Sequence, residues 1–233
     1  MDNTNMNALV VLSGGQDSAT CLGIALNEND KVSAIAFDYG QRHKVELQCA
    51  KKLCKKHKVD LKIVKLDFMK TLVTSALTTE DEEVDAAHPD KSNLPASFVP
   101  NRNALFLTLA HAYAQEIGAV NVYTGVCQTD YSGYPDCRDV FIRNMQRTLN
   151  DGYETTVYFR TPMMFIDKAE TFQLAEDFDF LEDVIELSHT CYNGDRDKKH
   201  DWGYGCGQCP ACKLREAGYE KFIAYKKLTA DEN

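Results

Sequence analysis

Ala8-Leu9-Val10-Val11-Leu12-Ser13-Gly14-Gly15-Gln16-Asp17-Ser18-Ala19-Thr20-Cys21 is a short apolar run that breaks at two glycines and leaves in a helical pattern continuing to Leu26. Adjacent glycines let the backbone turn sharply and bring its amides close to an anion, while the following helix aims unpaired N–H groups and partial positive charge at the same place. Ser13 and Ser18 add hydroxyl donors, and Asp17 is a candidate oxygen ligand for magnesium. The run lacks the Gly-Lys-Ser/Thr ending of a Walker A loop and the Gly-x-Gly-x-x-Gly spacing of a dinucleotide fold. It predicts a strand, a pyrophosphate-sized loop and a helix.

Outward from that loop the elements alternate. Val32 to Phe37 reads as a second buried strand, Gln41 to His57 as a helix with Val45, Cys49, Leu53 and Cys54 inward, and 59–67 as a strand. Residues 78–97 carry no period and read equally as a solvated insertion or as a loop that orders over a ligand. Asn103 to Ile117 predicts an apolar helix with Leu105, Leu109, Ala112 and Tyr113 inward and Gly118 as its C-terminal cap. Strands follow over Asn121 to Val126 and Thr156 to Met163, separated by a helix from Asp139 to Leu149. Asp167 and Glu170 then form a capping box for a helix from Lys168 to Phe178. Alternating strands and helices imply an α/β fold with an open parallel sheet. The dense connection from Cys127 to Arg138 leaves the carboxyl end of a strand, where such sheets bind ligands.

Composition narrows the classes. At 233 residues, 44% hydrophobic and 26% charged, the chain suits one large globular domain with a small appendage. No stretch approaches the ~20 apolar residues that span a bilayer, and no membrane association is expected. Nine cysteines, an odd number, suit a reducing compartment, so the expected location is the cytoplasm. A formal net charge of −9 offers no broad attraction to nucleic acid and favours small-molecule substrates.

Three thiols are knotted as Cys206-x2-Cys209-x2-Cys212, with Cys191 upstream across a glycine-containing loop. Four thiolates surround zinc tetrahedrally, and one structural zinc per chain would lock a short C-terminal tail. His189 and His200 stand as alternative fourth ligands, and an iron–sulfur run is a rival that lacks its fourth cysteine. The remaining cysteines, Cys21, Cys49, Cys54, Cys127 and Cys137, are expected to be buried as small apolar residues. His43 and His111 both fall in helical patterns, so no histidine is assigned as a general base.

Taken with the Ser-Gly-Gly-Gln-Asp-Ser loop, several runs carry a resemblance: Phe37-Asp38-Tyr39-Gly40-Gln41-Arg42-His43, Val99-Pro100-Asn101-Arg102-Asn103, Asp130-Tyr131-Ser132-Gly133-Tyr134-Pro135-Asp136-Cys137-Arg138, Thr161-Pro162-Met163 and Asp167-Lys168-Ala169-Glu170-Thr171. In this order they resemble the 7-cyano-7-deazaguanine synthases of queuosine biosynthesis, within the PP-loop ATP pyrophosphatases. Asn101 stands where a small residue, usually Gly, is expected, and the stretch between Cys191 and Cys206 is longer than usual. Asn tolerates a left-handed backbone, so the first departure need not disturb the turn.

The resemblance implies a Rossmann-like, doubly wound parallel sheet of PP-loop type over 1–187 and a zinc-binding helical module over 188–233. It implies an ATP-dependent ligase acting on 7-carboxy-7-deazaguanine and ammonia, with Mg2+ accompanying ATP, and a homodimer. The implied ATP-binding set is Val11, Leu12, Ser13, Gly14, Gly15, Gln16, Asp17, Ser18, Ala19, Thr20 and Cys21. Lys168, Arg102 and Asp17 become the candidate catalytic residues. Asp38, Tyr39, Asp130, Tyr131, Ser132, Tyr134, Asp136 and Arg138 become the deazapurine contacts, and Cys191, Cys206, Cys209 and Cys212 the metal ligands. A PP-loop enzyme that modifies tRNA itself is an alternative, weakened by the lack of a basic RNA-binding appendage. An ATP sensor without chemistry is another.

Overall fold

A computed structural model describes residues 6–41, 44–69, 87–88, 91–95, 98–129 and 134–231, with the backbone alone for 87–88, 91–95 and 230–231. Five parallel strands form the central sheet: β1 (Asn7–Val11), β2 (Lys31–Asp38), β3 (Asp60–Lys65), β6 (Asn121–Thr124) and β7 (Tyr158–Arg160), in the order β3-β2-β1-β6-β7. Between β3 and β6 in the chain lies a small antiparallel pair, β4 (Ala87–His88) and β5 (Lys91–Pro95). The aperiodic segment 78–97 thus contains a short hairpin; its other residues lie outside the described ones.

The alternation of side chains along each strand divides the core in two. Ala8, Val10 and Leu12 of the first run join Ala34 and Tyr123 on one face of the sheet, while Leu9, Ile35, Phe37 and Val122 join a second cluster on the other. Both faces are covered, which is why β1 is apolar from Ala8 to Val11 rather than alternating. The first face is covered by α1 (Gln16–Glu28), α2 (Val45–His57), α5 (Lys168–Asp177), α6 (Leu181–Leu187) and α7 (Pro210–Asp231). The second is covered by α3 (Arg102–Glu116) and α4 (Asp139–Tyr153). Trp202, Cys212 and Phe222 of the C-terminal segment pack in the same cluster as Ala8 and Leu12.

Several boundaries differ from expectation, each for a local reason. The second helix begins at Val45 rather than Gln41, because the Gln41 side chain turns back on the chain. Its Nε2 donates to the Phe37 carbonyl at 3.3 Å and its Oε1 accepts from Tyr39 N at 3.0 Å, closing a turn around Gly40. In α3 the buried residues are Leu107, Ala110, His111 and Ala114, with Ala112 exposed. The helix is apolar almost all round, so composition did not choose its phase; His111 is accommodated inside by a 3.0 Å hydrogen bond to Asn150 Oδ1. Gly118, at φ 64°, does close that helix as anticipated. The last strand spans only Tyr158–Arg160, since Met164 N bonds back to the Thr161 carbonyl and folds Thr161–Met163 into a turn.

Gly23 in α1 lets Phe180 seat against the helix. A β-carbon there would lie 2.5 Å from Phe180 Cγ, and that ring is 3% exposed. Gly23→Ala is therefore expected to destabilise the fold by about 1–3 kcal/mol through overpacking, despite the better helix propensity of Ala. A shift in denaturation midpoint at constant slope measures it; an unchanged or raised midpoint would show that Phe180 can yield.

Candidate active site

The sheet order places β1 between β2 and β6, so the connections leaving β1 and entering β6 run to opposite sides. A crevice opens there beyond the carboxyl ends of the strands. A cavity of about 360 Å³ occupies it, lined by the glycine loop, the ends of β2 and β6, the start of α3 and the residues around the cysteine knot.

The loop is shaped by close contacts. Gly14 has φ 96°, and a β-carbon on it would lie 2.0 Å from the Glu46 carbonyl oxygen at the head of α2. Gly14 N donates to Ser18 Oγ at 3.1 Å and Gly15 N to Ser13 Oγ at 3.2 Å, with the two hydroxyl oxygens 3.0 Å apart. From across the cleft His189 N donates to the Gly14 carbonyl at 2.9 Å. Gly15 is the N-cap of α1 and no side chain caps that helix, so its first-turn amides are left for a ligand. Gly125, just beyond β6, admits the turn: a β-carbon there would sit 2.9 Å from Ser18 N.

Lys168 reaches this loop from the first turn of α5. The Asp167–Glu170 capping box fixes that turn, and Gly218 of α7 lets it approach, since a β-carbon at 218 would be 2.5 Å from Lys168 Cβ. Lys168 is 8% exposed, and its Nζ lies 2.9 and 2.7 Å from the two carboxylate oxygens of Asp17. It is thus a buried cation at the phosphate loop rather than a surface lysine.

The opposite wall is aromatic. Phe37 and Phe106 stack at 4.2 Å, Tyr39 leans on Phe106 at 5.6 Å, and Tyr134 lies against Phe98 at 5.5 Å. Asn101, in the left-handed conformation at φ 57°, starts α3 and presents Arg102, whose Nη1 donates to Tyr39 Oη at 3.4 Å. Such a wall suits a flat heterocycle.

The implied contacts are placed as follows. Val11, Leu12, Ser13, Gly15, Gln16, Asp17 and Ser18 line the cavity, whereas Ala19, Thr20 and Cys21 are fully buried behind it. Arg102, Lys168, Tyr39 and Tyr134 line it as well. Asp38 lies outside the lining, accepting from Lys44 Nζ at 3.1 Å and Gly40 N at 3.3 Å. Asp136 is buried and accepts from Asn103 N at 3.1 Å, which steadies the start of α3. Arg138 is the exposed N-cap of α4. Asp130, Tyr131, Ser132 and His43 lie outside the described residues.

The sequence did not single out Phe37 or Phe106 as an aromatic wall, nor Glu46 and Arg215 at all. Arg215 is 0% exposed, donates to Thr190 Oγ1 and to the Val184 carbonyl, both at 2.8 Å, and burial draws it down to about 10. Burial pushes the Glu46 carboxyl up to about 7 against the pull of Arg102. Neither residue belongs to a motif; their helical positions look like ordinary polar ones.

Beside the cleft the four cysteines converge. The sulfurs of Cys191, Cys206, Cys209 and Cys212 all lie within 4.8 Å of one another, with Cys206–Cys212 at 3.9 Å and Cys191–Cys209 at 4.0 Å. A tetrahedral ion with ~2.3 Å bonds to sulfur needs edges of about 3.8 Å, so the set can hold a metal ion. Gly205 is required there, since a β-carbon would lie 2.6 Å from Cys212 Sγ. His200 stands apart, stacked on Trp202 at 4.3 Å with its Nε2 on the Gly205 carbonyl, and His189 lines the cleft.

An open parallel sheet with a glycine loop at its switch point, no Walker lysine in that loop and a lysine delivered from a later helix define a PP-loop nucleotide-binding α/β protein. The family described as queuosine biosynthesis protein QueC matches residues 7–223, and the chain belongs to it. It is 50% identical over 222 residues to the 7-cyano-7-deazaguanine synthase of Wolinella succinogenes, covering 95% of each chain. The protein of that name from a Helicobacter pylori strain is 47% identical, over 94% of this chain and 97% of its own. That from Nitratidesulfovibrio vulgaris is 46% identical over 96% of each. Among the described residues no helix is long and apolar enough to cross a membrane.

Proposed function

We propose that this chain is a carbon–nitrogen ligase that converts 7-carboxy-7-deazaguanine, ammonia and ATP into 7-cyano-7-deazaguanine, the product named in its relatives. The observation that carries this reading is one cleft in which an uncapped helix start and Lys168 face an aromatic wall. The first is suited to phosphates, the second to a deazapurine.

A carboxylate is a poor electrophile, so each loss of oxygen needs activation. The acid oxygen attacks the α phosphorus of ATP, and pyrophosphate leaves into the Ser13–Ser18 loop. Lys168 and Arg102 stabilise the charge that builds on the transferring phosphoryl group. Ammonia then displaces AMP to give the amide. A second adenylation, on the amide oxygen, allows elimination to the nitrile. Phe37, Phe106, Tyr39 and Tyr134 hold the heterocycle flat while both rounds proceed. Asp17 would supply a carboxylate oxygen to the Mg2+ that accompanies ATP, a cation that would offset phosphate charge. Cys191, Cys206, Cys209 and Cys212 would hold zinc, which would cross-link the C-terminal segment and leave bond making to the cleft residues. The direct ligands are small molecules, the location is the cytoplasm, and the working unit is a homodimer.

The test is to incubate the purified protein with ATP, ammonium and the carboxy-deazaguanine and follow nucleotides and heterocycle by mass. Two AMP and two pyrophosphate per nitrile are expected. Formation of ADP, or nucleotide cleavage with no nitrile, would overturn the proposal.

A further inference from the structure

We infer that Glu46 takes the proton from ammonium as nitrogen is delivered to the activated acid, an inference that rests on the ligase reading above. Apart from the aromatic wall, the conspicuous features of the cleft suit an anion: the uncapped helix, Arg102, Lys168 and Arg215. Among the described residues lining it, only Asp17 and Glu46 are acidic, and Asp17 is already bound through both oxygens to Lys168. The Glu46 carboxylate makes no hydrogen bond or ion pair among the described residues, yet it sits at the phosphate loop. Its carbonyl oxygen abuts Gly14, and its Oε1 would be 3.9 Å from a β-carbon on Gly15.

A bare carboxylate beside departing phosphates repels them unless it carries a cation or a proton. Ammonium is the cation this reaction consumes, and in that form nitrogen has no lone pair to attack with. Transfer of one proton to the Glu46 carboxylate leaves ammonia and a neutral carboxylic acid. The nitrogen lone pair then forms the C–N bond at the acyl carbon. The C–O bond to AMP breaks, its electron pair stays on the phosphate oxygen, and the surplus nitrogen proton passes to that phosphate.

The groups facing Glu46 are Arg102 from α3, Tyr39 after β2 and Cys49 one turn on in its own helix. Arg102 favours the carboxylate, but burial outweighs it and holds the group up to about 7. An acceptor near the working pH is well matched to this transfer.

Glu46→Gln keeps the shape and removes the proton acceptor. With ammonium at pH 7, kcat/KM for nitrogen is expected to fall about 100-fold or more. The rise in rate through pH ~7 expected of the parent should be lost, and the deficit should narrow toward pH 9 as free ammonia becomes abundant. Hydroxylamine, mostly uncharged at pH 7, should cut the deficit to below about tenfold. A variant within threefold of the parent on ammonium, or one equally impaired on both nucleophiles, would overturn the assignment. Should Glu46→Gln fail to fold, Glu46→Asp is expected to keep the pH-dependent rise at reduced rate, and its absence there would count equally against the inference. If the parent itself makes no nitrile, the ligase reading fails instead.

Discussion

Lys168→Met should abolish most turnover while leaving the fold largely intact. Lys168 is the one lysine in the cleft lining among the described residues, and its Nζ already lies within 3 Å of both Asp17 oxygens beside the phosphate loop. Removing a preorganised donor from a developing phosphoryl charge costs about 10²–10³ in rate. AMP release is therefore expected to drop by that factor. The same change strands the Asp17 carboxylate, whose side chain is 21% exposed, so water compensates in part and the thermal midpoint should fall by only a few degrees. Asp17→Asn combined with Lys168→Met should recover the midpoint but not the rate. If Lys168→Met turns over within tenfold of the parent, Lys168 has only a structural role.

Loss of the metal should be costlier to the fold. The C-terminal cysteine segment has two short strands, β8 (Lys199–His200) and β9 (Gly203–Tyr204), and few other internal supports before α7. Metal bound to such sulfur sets stabilises small peptides by about 10–16 kcal/mol. Even a fraction of that, at about 2–4 °C per kcal/mol for a chain of this size, predicts a fall of at least ~10 °C in thermal midpoint on chelation or on Cys191→Ser. The damage should also reach the nucleotide. His189 N holds the Gly14 carbonyl, Thr190 accepts from Arg215, and Cys191 is the next residue. KM for ATP is expected to rise in whatever folded protein survives. Metal analysis alongside scanning calorimetry decides the matter; a stripped protein with an unchanged midpoint would show the sulfur set to be dispensable.

What was legible in the sequence was mostly what short-range chemistry dictates. The Ser13–Ser18 loop, the Asp167–Glu170 box, the Gly118 cap and the clustered cysteines are each set by residues close together in the chain, and each is found. The phase of α3 was only partly legible, because nearly every side of it is apolar: Leu105, Leu109 and Tyr113 do pack against the core, but Leu107 and Ala110 are its most buried positions and Ala112 is exposed. The start of α2 was not legible, since it depends on one glutamine bonding back to Phe37 rather than continuing the helix. Arg215 is buried and Glu46 half-buried by segments far away in sequence, so no window around either could mark it. The resemblance supplied Lys168 and Arg102, and packing shows what surrounds them.

Gly218 has a consequence for the order in which the enzyme is made. The phosphate loop emerges from the ribosome well before Lys168, but the groove into which the Lys168 backbone settles is completed by a position later still in the chain. A nascent chain can build its sheet and its loop early, yet the lysine finds its seat only after α7 has been released. Competence for catalysis therefore arrives only once α7 is in place, and nonsense truncations that remove α7 should yield silent protein.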